Sequence, residues 1–171
     1  MIRTWNTRWR TPPSSKFTAM AKAPRGTAGQ AIGRSKGGLT TKILALTDAL
    51  GNLVRLRLMP GNRYDTVGYD TVGVPPLLAG ISFDALIADR AIDRDAITAD
   101  LDERGAKVVI AQHPRRIPPR AIDTEMCRWR HLIENFFCKL LEFKRTAPRP
   151  DKTDQSFEAI IYLSAAIINS R

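Results

Sequence analysis

Trp129-Arg130-His131-Leu132-Ile133-Glu134-Asn135-Phe136-Phe137 carries the pattern on which the fold class turns. Apolar side chains at Met126, Trp129, Ile133, Phe136, Phe137 and Leu140 recur at intervals of three and four. That period lays them along one side of an α-helix, and the spacing predicts a helix from Ile122 to about Arg145 with this stripe buried. A second row, Cys127, Arg130, Glu134, Cys138 and Leu141, runs beside the first. Arg130 stands one turn before Glu134, so an ordinary ion pair worth about 0.2–0.5 kcal/mol is the simplest role for the two. The alternative role is chemical. An acid on a rigid helix, flanked by basic groups in a basic chain, is placed to ligate a metal acting on a phosphate backbone.

Outward from this helix the chain alternates strands and helices. Leu39 to Asp48 contains Ile43-Leu44-Ala45-Leu46 and reads as a buried strand entering a turn at Asp48-Ala49-Leu50-Gly51-Asn52. Leu53 to Leu58 alternates Leu53, Arg55 and Arg57 with Val54, Leu56 and Leu58, which makes the two strands a hairpin. Leu86-Ile87-Ala88 is a short buried strand closed by Asp89. Arg94 to Arg104 is helical and stops at Gly105, and Ala106 to Ala111 is a strand. Pro114 to Arg120 is a basic loop broken by proline, and a last helix runs from Ser156 to Ile168, capped by Thr153 or Asp154. Strand, strand, strand, helix, strand, helix, helix is an α/β layer architecture. Tyr64-Asp65-Thr66-Val67-Gly68 is repeated at once as Tyr69-Asp70-Thr71-Val72-Gly73, too short a unit for a solenoid and read as a duplication in a loop.

The 171 residues suit one domain with a core, and 43% hydrophobic content excludes a disordered chain. The formal charge of +10 calls for an anionic partner, nucleic acid first and a membrane surface second. No acid precedes Asp48, whereas Arg and Lys recur from Arg3 to Lys42. Residues 1–38, rich in Gly, Pro and Ser, therefore read as a flexible basic arm ahead of a domain over 39–171. Candidate phosphate contacts are Arg34, Lys36 and Lys42, then Arg55 and Arg57, the loop residues Arg115, Arg116 and Arg120, and Lys139 on the helix. Cys127 and Cys138, eleven residues apart on one helix, would stand about 16 Å apart, beyond disulfide reach, and His113 and His131 lack zinc-site spacing. The longest apolar run, Ala159 to Ile168, is too short to span a bilayer.

Asp89 closes an apolar strand, and ligands of open α/β sheets gather at the carboxyl ends of strands. With Glu134 it forms a candidate pair for a divalent cation. The plainer role for Asp89 is to cap the following turn and pair with Arg90 or Arg94.

Three blocks, in order, resemble the DDE transposases of bacterial insertion sequences. They are Gly33-Arg34-Ser35-Lys36-Gly37-Gly38-Leu39-Thr40-Thr41-Lys42-Ile43, then Ala85-Leu86-Ile87-Ala88-Asp89-Arg90-Ala91-Ile92-Asp93, then Arg128 through Arg130 and Glu134 to Lys139, continuing into Asp151-Lys152-Thr153-Asp154-Gln155-Ser156-Phe157. The resemblance covers the chain from Ser14 onward. It implies an RNase H-like mixed sheet flanked by helices, and cutting and joining of double-stranded DNA at transposon ends with Mg²⁺ or Mn²⁺. It implies a cytoplasmic, nucleoid-associated bacterial protein. It also implies that Asp89 and Glu134 are the second and third catalytic acids and metal ligands, with Arg130 the arginine of a Tyr-Arg-Glu-Lys signature.

The chain departs from that pattern at several positions. Cys127 stands for the signature tyrosine, Leu141 for the lysine, and Ile92 for an aromatic residue after the second acid. Aligning Ser14-Ser15-Lys16-Phe17 with the family's first strand puts Pro13 where the first aspartate belongs, and proline also removes an N–H from a central strand. The expectation is a transposase with an incomplete first strand that does not cut. The alternative is a non-catalytic DNA-binding remnant, and a second copy of the chain or an intact transposase is the expected protein partner.

Overall fold

Ile43, Leu44, Ala45 and Leu46 are buried without a break, which a strand allows only when both its faces are covered. In the computed structural model, which describes residues 1–8, 30–35, 38–62, 73–112, 114–143, 146, 149 and 153–170, their strand is β3 (Gly38–Thr47). Strands β1 (Ile2–Arg8) and β4 (Leu53–Pro60) run antiparallel to it on its two sides, Ile2 opposite Leu46 and Leu58 opposite Ile43. The short β2 (Gly33–Ser35) folds back on the first residues of β3. Beyond β1 come β5 (Ala85–Ala88) and β6 (Lys107–Ile110), parallel to each other, with Ala88 opposite Ile110. β1 meets β5 at one pair, Ile2 beside Ala88, also in parallel. The described residues thus form one mixed, six-stranded sheet.

Alternate residues of the central strands enter different cores. Leu44, Leu46, Leu86, Ala88 and Ile110 pack under α1 (Val74–Leu78) and α2 (Asp95–Glu103). Ile43, Ala45, Ile87 and Val109 pack under α4 (His131–Glu142) and α5 (Asp154–Asn169), against Ile133, Phe137, Phe157 and Ile161. The α/β class expected from the pattern holds, with helices on both faces of the sheet. Among the described residues no helix is long and apolar enough to cross a membrane.

Three expectations change. Residues 1–38, read from composition as a flexible arm, contain β1 and β2. Ile2, Thr4, Trp5 and Thr7 suit a strand, and Met1 and Thr47 exchange backbone hydrogen bonds of 2.8 and 2.9 Å that extend the β1–β3 ladder. The repeat over 64–72, Pro13 to Phe17, Lys36 and His113 lie outside the described residues. Next, Val74-Pro75-Pro76-Leu77-Leu78 is a helix, because prolines in a first turn remove only amides that have no partner there. Its last carbonyls are taken by Arg55, bonded to Leu77 O at 3.2 Å and Ala79 O at 2.6 Å, and by Arg104, bonded to Leu78 O at 3.2 Å. Arg55 is therefore a helix cap rather than an outward cation.

The single helix expected from Ile122 to Arg145 is divided. α3 (Thr124–Arg128) ends in a turn at Trp129 and Arg130, and α4 starts at His131. Trp129 N, Arg130 N and Leu132 N bond to carbonyls three residues back, at Met126, Cys127 and Trp129. This 3₁₀-type tightening advances each residue farther round the axis than an α-helix does. Trp129 consequently leaves the buried stripe and is 52% exposed, while Ile133, Phe136, Phe137 and Leu140 stay inside. Cys127 and Cys138 lie on different helices, and both are free.

One polar contact ties distant parts together. Arg149, 1% exposed, donates to Thr41 Oγ1 at 2.6 Å, Ala31 O at 3.3 Å and Asp154 Oδ1 at 2.5 Å, with its guanidinium 5.0 Å from the Phe157 ring centre. Asp154 Oδ2 accepts the Ala31 amide at 2.8 Å. Removing one partner of a buried pair costs about 3–5 kcal/mol. Arg149→Met is accordingly expected to lower unfolding free energy by about 3 kcal/mol in urea titrations, and a loss within the scatter of surface substitutions would show the contact to be idle.

α3 carries a second, pH-dependent device. Asp123 caps it by accepting Met126 N at 3.0 Å and Lys107 Nζ at 2.6 Å. The Lys107 ammonium, then the Met126 amide, hold this carboxyl below its ordinary value of 3.8. A lowered acid adds stability above its unfolded pKa and loses it as pH falls through the folded one. Melting curves should show Asp123→Asn less stable at neutral pH, with the gap closing as pH drops below 3.8; a gap independent of pH would contradict the assignment.

Candidate functional site

Three residues singled out in the sequence meet at the carboxyl end of β5. Asp89 follows the strand directly and caps a 3₁₀ turn over Arg90–Ile92, its Oδ1 accepting Arg90 N at 2.7 Å. Glu134 stands in the first turn of α4, where the helix dipole favours a negative charge. Arg130 occupies the cap position of that helix, with helical backbone angles. Its Nε lies 3.5 Å from Glu134 Oε1, and its Nη1 lies 3.9 Å from Asp89 Oδ1.

Asp89 caps its turn and Arg130 pairs with Glu134 four residues on, as the plain roles have it, and the guanidinium facing Asp89 is that of Arg130, where Arg90 or Arg94 was expected. The fold adds what neither spacing contained, a second carboxylate on the same guanidinium. The three side chains are 39 to 41% exposed, so these contacts are screened and each contributes roughly 0–1 kcal/mol. Their interest is geometric: charge of both signs converges at a strand end, where open α/β sheets bind ligands.

Among the described residues the site brings together two carboxylates, fewer than a pair of divalent cations needs. Among the described residues no group of three His, Cys, Asp or Glu is arranged to hold a metal ion. Ile2 lies beside Ala88, so β1 runs on past Asp89 from Arg3 to Arg8, a stretch without an acid. The cation that the two carboxylates do meet is the guanidinium of Arg130.

β6 ends beside β5, so the basic loop after it lies at the same end of the sheet. Two of its arginines are engaged within the chain. Asp93, whose side chain is 3% exposed, accepts Arg116 Nη1 at 2.8 Å and Arg120 Nη2 at 2.7 Å. Arg116 also pairs with Asp95, and Arg120 donates to Thr98 Oγ1 at 2.7 Å. A carboxylate buried this far must be paired, and Asp93 draws both guanidiniums inward. Arg115 is exposed in the loop, Arg34 is exposed on β2 and Lys139 is exposed near the end of α4, while Lys42 is half-buried on β3. Asp93 was not singled out in the sequence as an anchor. The available signal was an Asp93–Asp95 pair followed by a loop unusually rich in arginine.

The chain is 33% identical over 132 residues to a protein of Brucella ovis described as "Putative transposase for insertion sequence element IS6501". The match covers 76% of the chain and 98% of that relative. No protein-family model and no solved structure matches the chain.

If Asp93 fastens the loop, loosening it exposes the peptide bonds after Arg115, Arg116 and Arg120. Asp93→Asn should raise the rate of limited tryptic cleavage there about tenfold, because cleavage follows the population of locally open chain. An unchanged rate in a folded variant would mean that the loop is held by something else.

Proposed function

The chain belongs to the insertion-sequence transposases, and on that premise we propose that it is a DDE-class member with an RNase H-like domain that grips transposon-end DNA without cutting it. A mixed sheet with helices on both faces supports the RNase H-like part of this reading. The observation that carries the rest is the shared guanidinium of Arg130 between Asp89 and Glu134, beside a strand that offers no third acid.

In phosphoryl transfer a pair of divalent ions, Mg²⁺ or Mn²⁺, supplies positive charge to the attacking and leaving oxygens. Asp89 and Glu134 are the residues that would hold such ions in this family. Two carboxylates that already face a guanidinium are too few negative ligands for two ions. Gripping requires only outward cations. Arg34, Arg115 and Lys139 are exposed, Lys42 is half-buried within β3, and Arg116 and Arg120 shape the loop that carries Arg115. A protein of this kind, in the bacterial cytoplasm and on the nucleoid, would compete with an intact transposase for the same ends, alone or paired with a second copy.

Anisotropy titrations on an end-containing duplex across a salt series test the reading. Affinity should fall steeply with salt, and Arg34→Ala, Arg115→Ala and Lys139→Ala should each reduce the logarithmic slope by about 1. No strand cleavage should appear with Mg²⁺ or Mn²⁺. Cleavage that disappears in Glu134→Gln would establish a working nuclease centre instead, and a salt-insensitive or absent complex would remove the gripping role.

A further inference from the structure

Ile117 is 92% exposed, more than any other large apolar side chain among the described residues. Single apolar residues on a surface are ordinary; this one differs in how its loop is built. Gln112 and Arg120 close the loop at its base. Gln112 Nε2 donates to Arg120 O at 3.2 Å, and Arg120 N donates to Gln112 Oε1 at 2.8 Å. Arg116, the residue before Ile117, is fastened to the buried Asp93 at 2.8 Å. Pro118 and Pro119 follow Ile117, and the ring of each fixes its own φ. The loop therefore holds an isoleucine out in water on a backbone with little freedom to fold it back.

Two further observations say what this tip suits. The first is its place. Asp93 N bonds to Arg90 O at 3.1 Å, closing the 3₁₀ turn that Asp89 opens. The loop is thus tied to the turn that carries Asp89, at the carboxyl end of β5 and β6. The second is its charge. From Arg104 to Ile122 the sequence holds five Arg and Lys and no acid. Arg115 is exposed two residues ahead of Ile117, and Arg116 and Arg120 keep 18% and 24% of their side chains in water. Asp95, 90% exposed, offsets Arg116 in part. An apolar protein surface would have to strip water from these guanidiniums without pairing them. Duplex DNA offers phosphates to the arginines and an apolar stack of bases to the isoleucine.

We propose that Ile117 is a wedge for duplex DNA. Arg115 holds a phosphate at the edge of the minor groove. Ile117 enters that groove between two base pairs, unstacks them and bends the duplex toward its major groove, as apolar side chains set among basic ones do. A loop already fixed in shape loses little freedom on insertion. Asp93 acts as a positioning residue, because it holds Arg116 and Arg120 and so the base of the wedge. Pyrimidine–purine steps such as TA unstack most readily, so the tip selects sites by deformability rather than by base edges. The wedge rests on the reading that this chain grips DNA, and adds where the duplex is deformed.

A duplex of about 20 alternating A·T pairs, rich in TA steps, tests it, with 2-aminopurine replacing the central adenines and a dye at each end. On saturation with the folded protein, 2-aminopurine emission should rise about threefold as the step unstacks. Energy transfer between the dyes should rise as the ends approach. Ile117→Ser should remove both changes at saturating protein while leaving the salt slope of affinity as it was, since it touches no phosphate. Its melting temperature should stay within the range of surface substitutions, and Ile117→Leu should keep both signals. Arg115→Ala should lower the salt slope by about 1, with emission still rising at saturation. A native protein that binds this duplex without either change would overturn the wedge and leave the grip standing. So would an Ile117→Ser variant that keeps both changes, and loss of its binding to phosphatidylserine vesicles would then assign the tip to lipid. Absence of any duplex binding would overturn the wedge and the grip together.

Discussion

A guanidinium with 1% of its surface in water sets the terms for this molecule. Arg149 cannot be buried unless its charge and its donors are met. They are met by the Ala31 carbonyl ahead of β2, the Thr41 hydroxyl on β3, and the Asp154 carboxylate in the first turn of α5. Apolar contact between α5 and the sheet is non-directional and would tolerate a slip along the helix axis. Hydrogen bonds of fixed length do not. Because Asp154 is held, Phe157 and Ile161 fall on Ile133 and Phe137 of α4, and α4 in turn presents Glu134 to the end of β5.

The same logic runs through the rest of the charge pattern. Asp93 is buried with Arg116 and Arg120, Asp123 is capped by Lys107, Asp100 is bound by Arg104, and α1 is closed by Arg55 and Arg104. Among the described residues most of the acids fix arginines or helix ends, so each such pair cancels locally and leaves the net charge of +10 to the remaining basic residues.

Much of the region from Leu39 to Ile110 is legible in the sequence, because the β3–β4 hairpin, β5, α2 and β6 show the alternation, turn residues and stop signals that local physics requires. Asp48 and Gly51 are an example: one accepts two turn amides, and the other takes φ 87°, which glycine allows. What escaped was decided at long range or by averaging. Arg149 looks like one more basic residue until Ala31, Thr41 and Asp154 surround it. β1 was hidden by the Gly, Pro and Ser content of the stretch that follows it. The break between α3 and α4 has no glycine or proline to mark it, only a change of hydrogen-bond spacing at Trp129. At the site, Asp89 and Glu134 were each recognisable as candidate acids. Their common contact with Arg130 was not, because it depends on how β5 and α4 are brought together.

One register places β1 against the site. Ile2 lies level with Ala88, the last residue of β5. The residues of β1 that follow therefore pass beside Asp89, where the sequence from Arg3 to Arg8 brings no carboxylate. The strand that ought to join the hairpin to the parallel pair touches the latter only at its tip, so the cohesion between these halves rests on the helices that cross both faces.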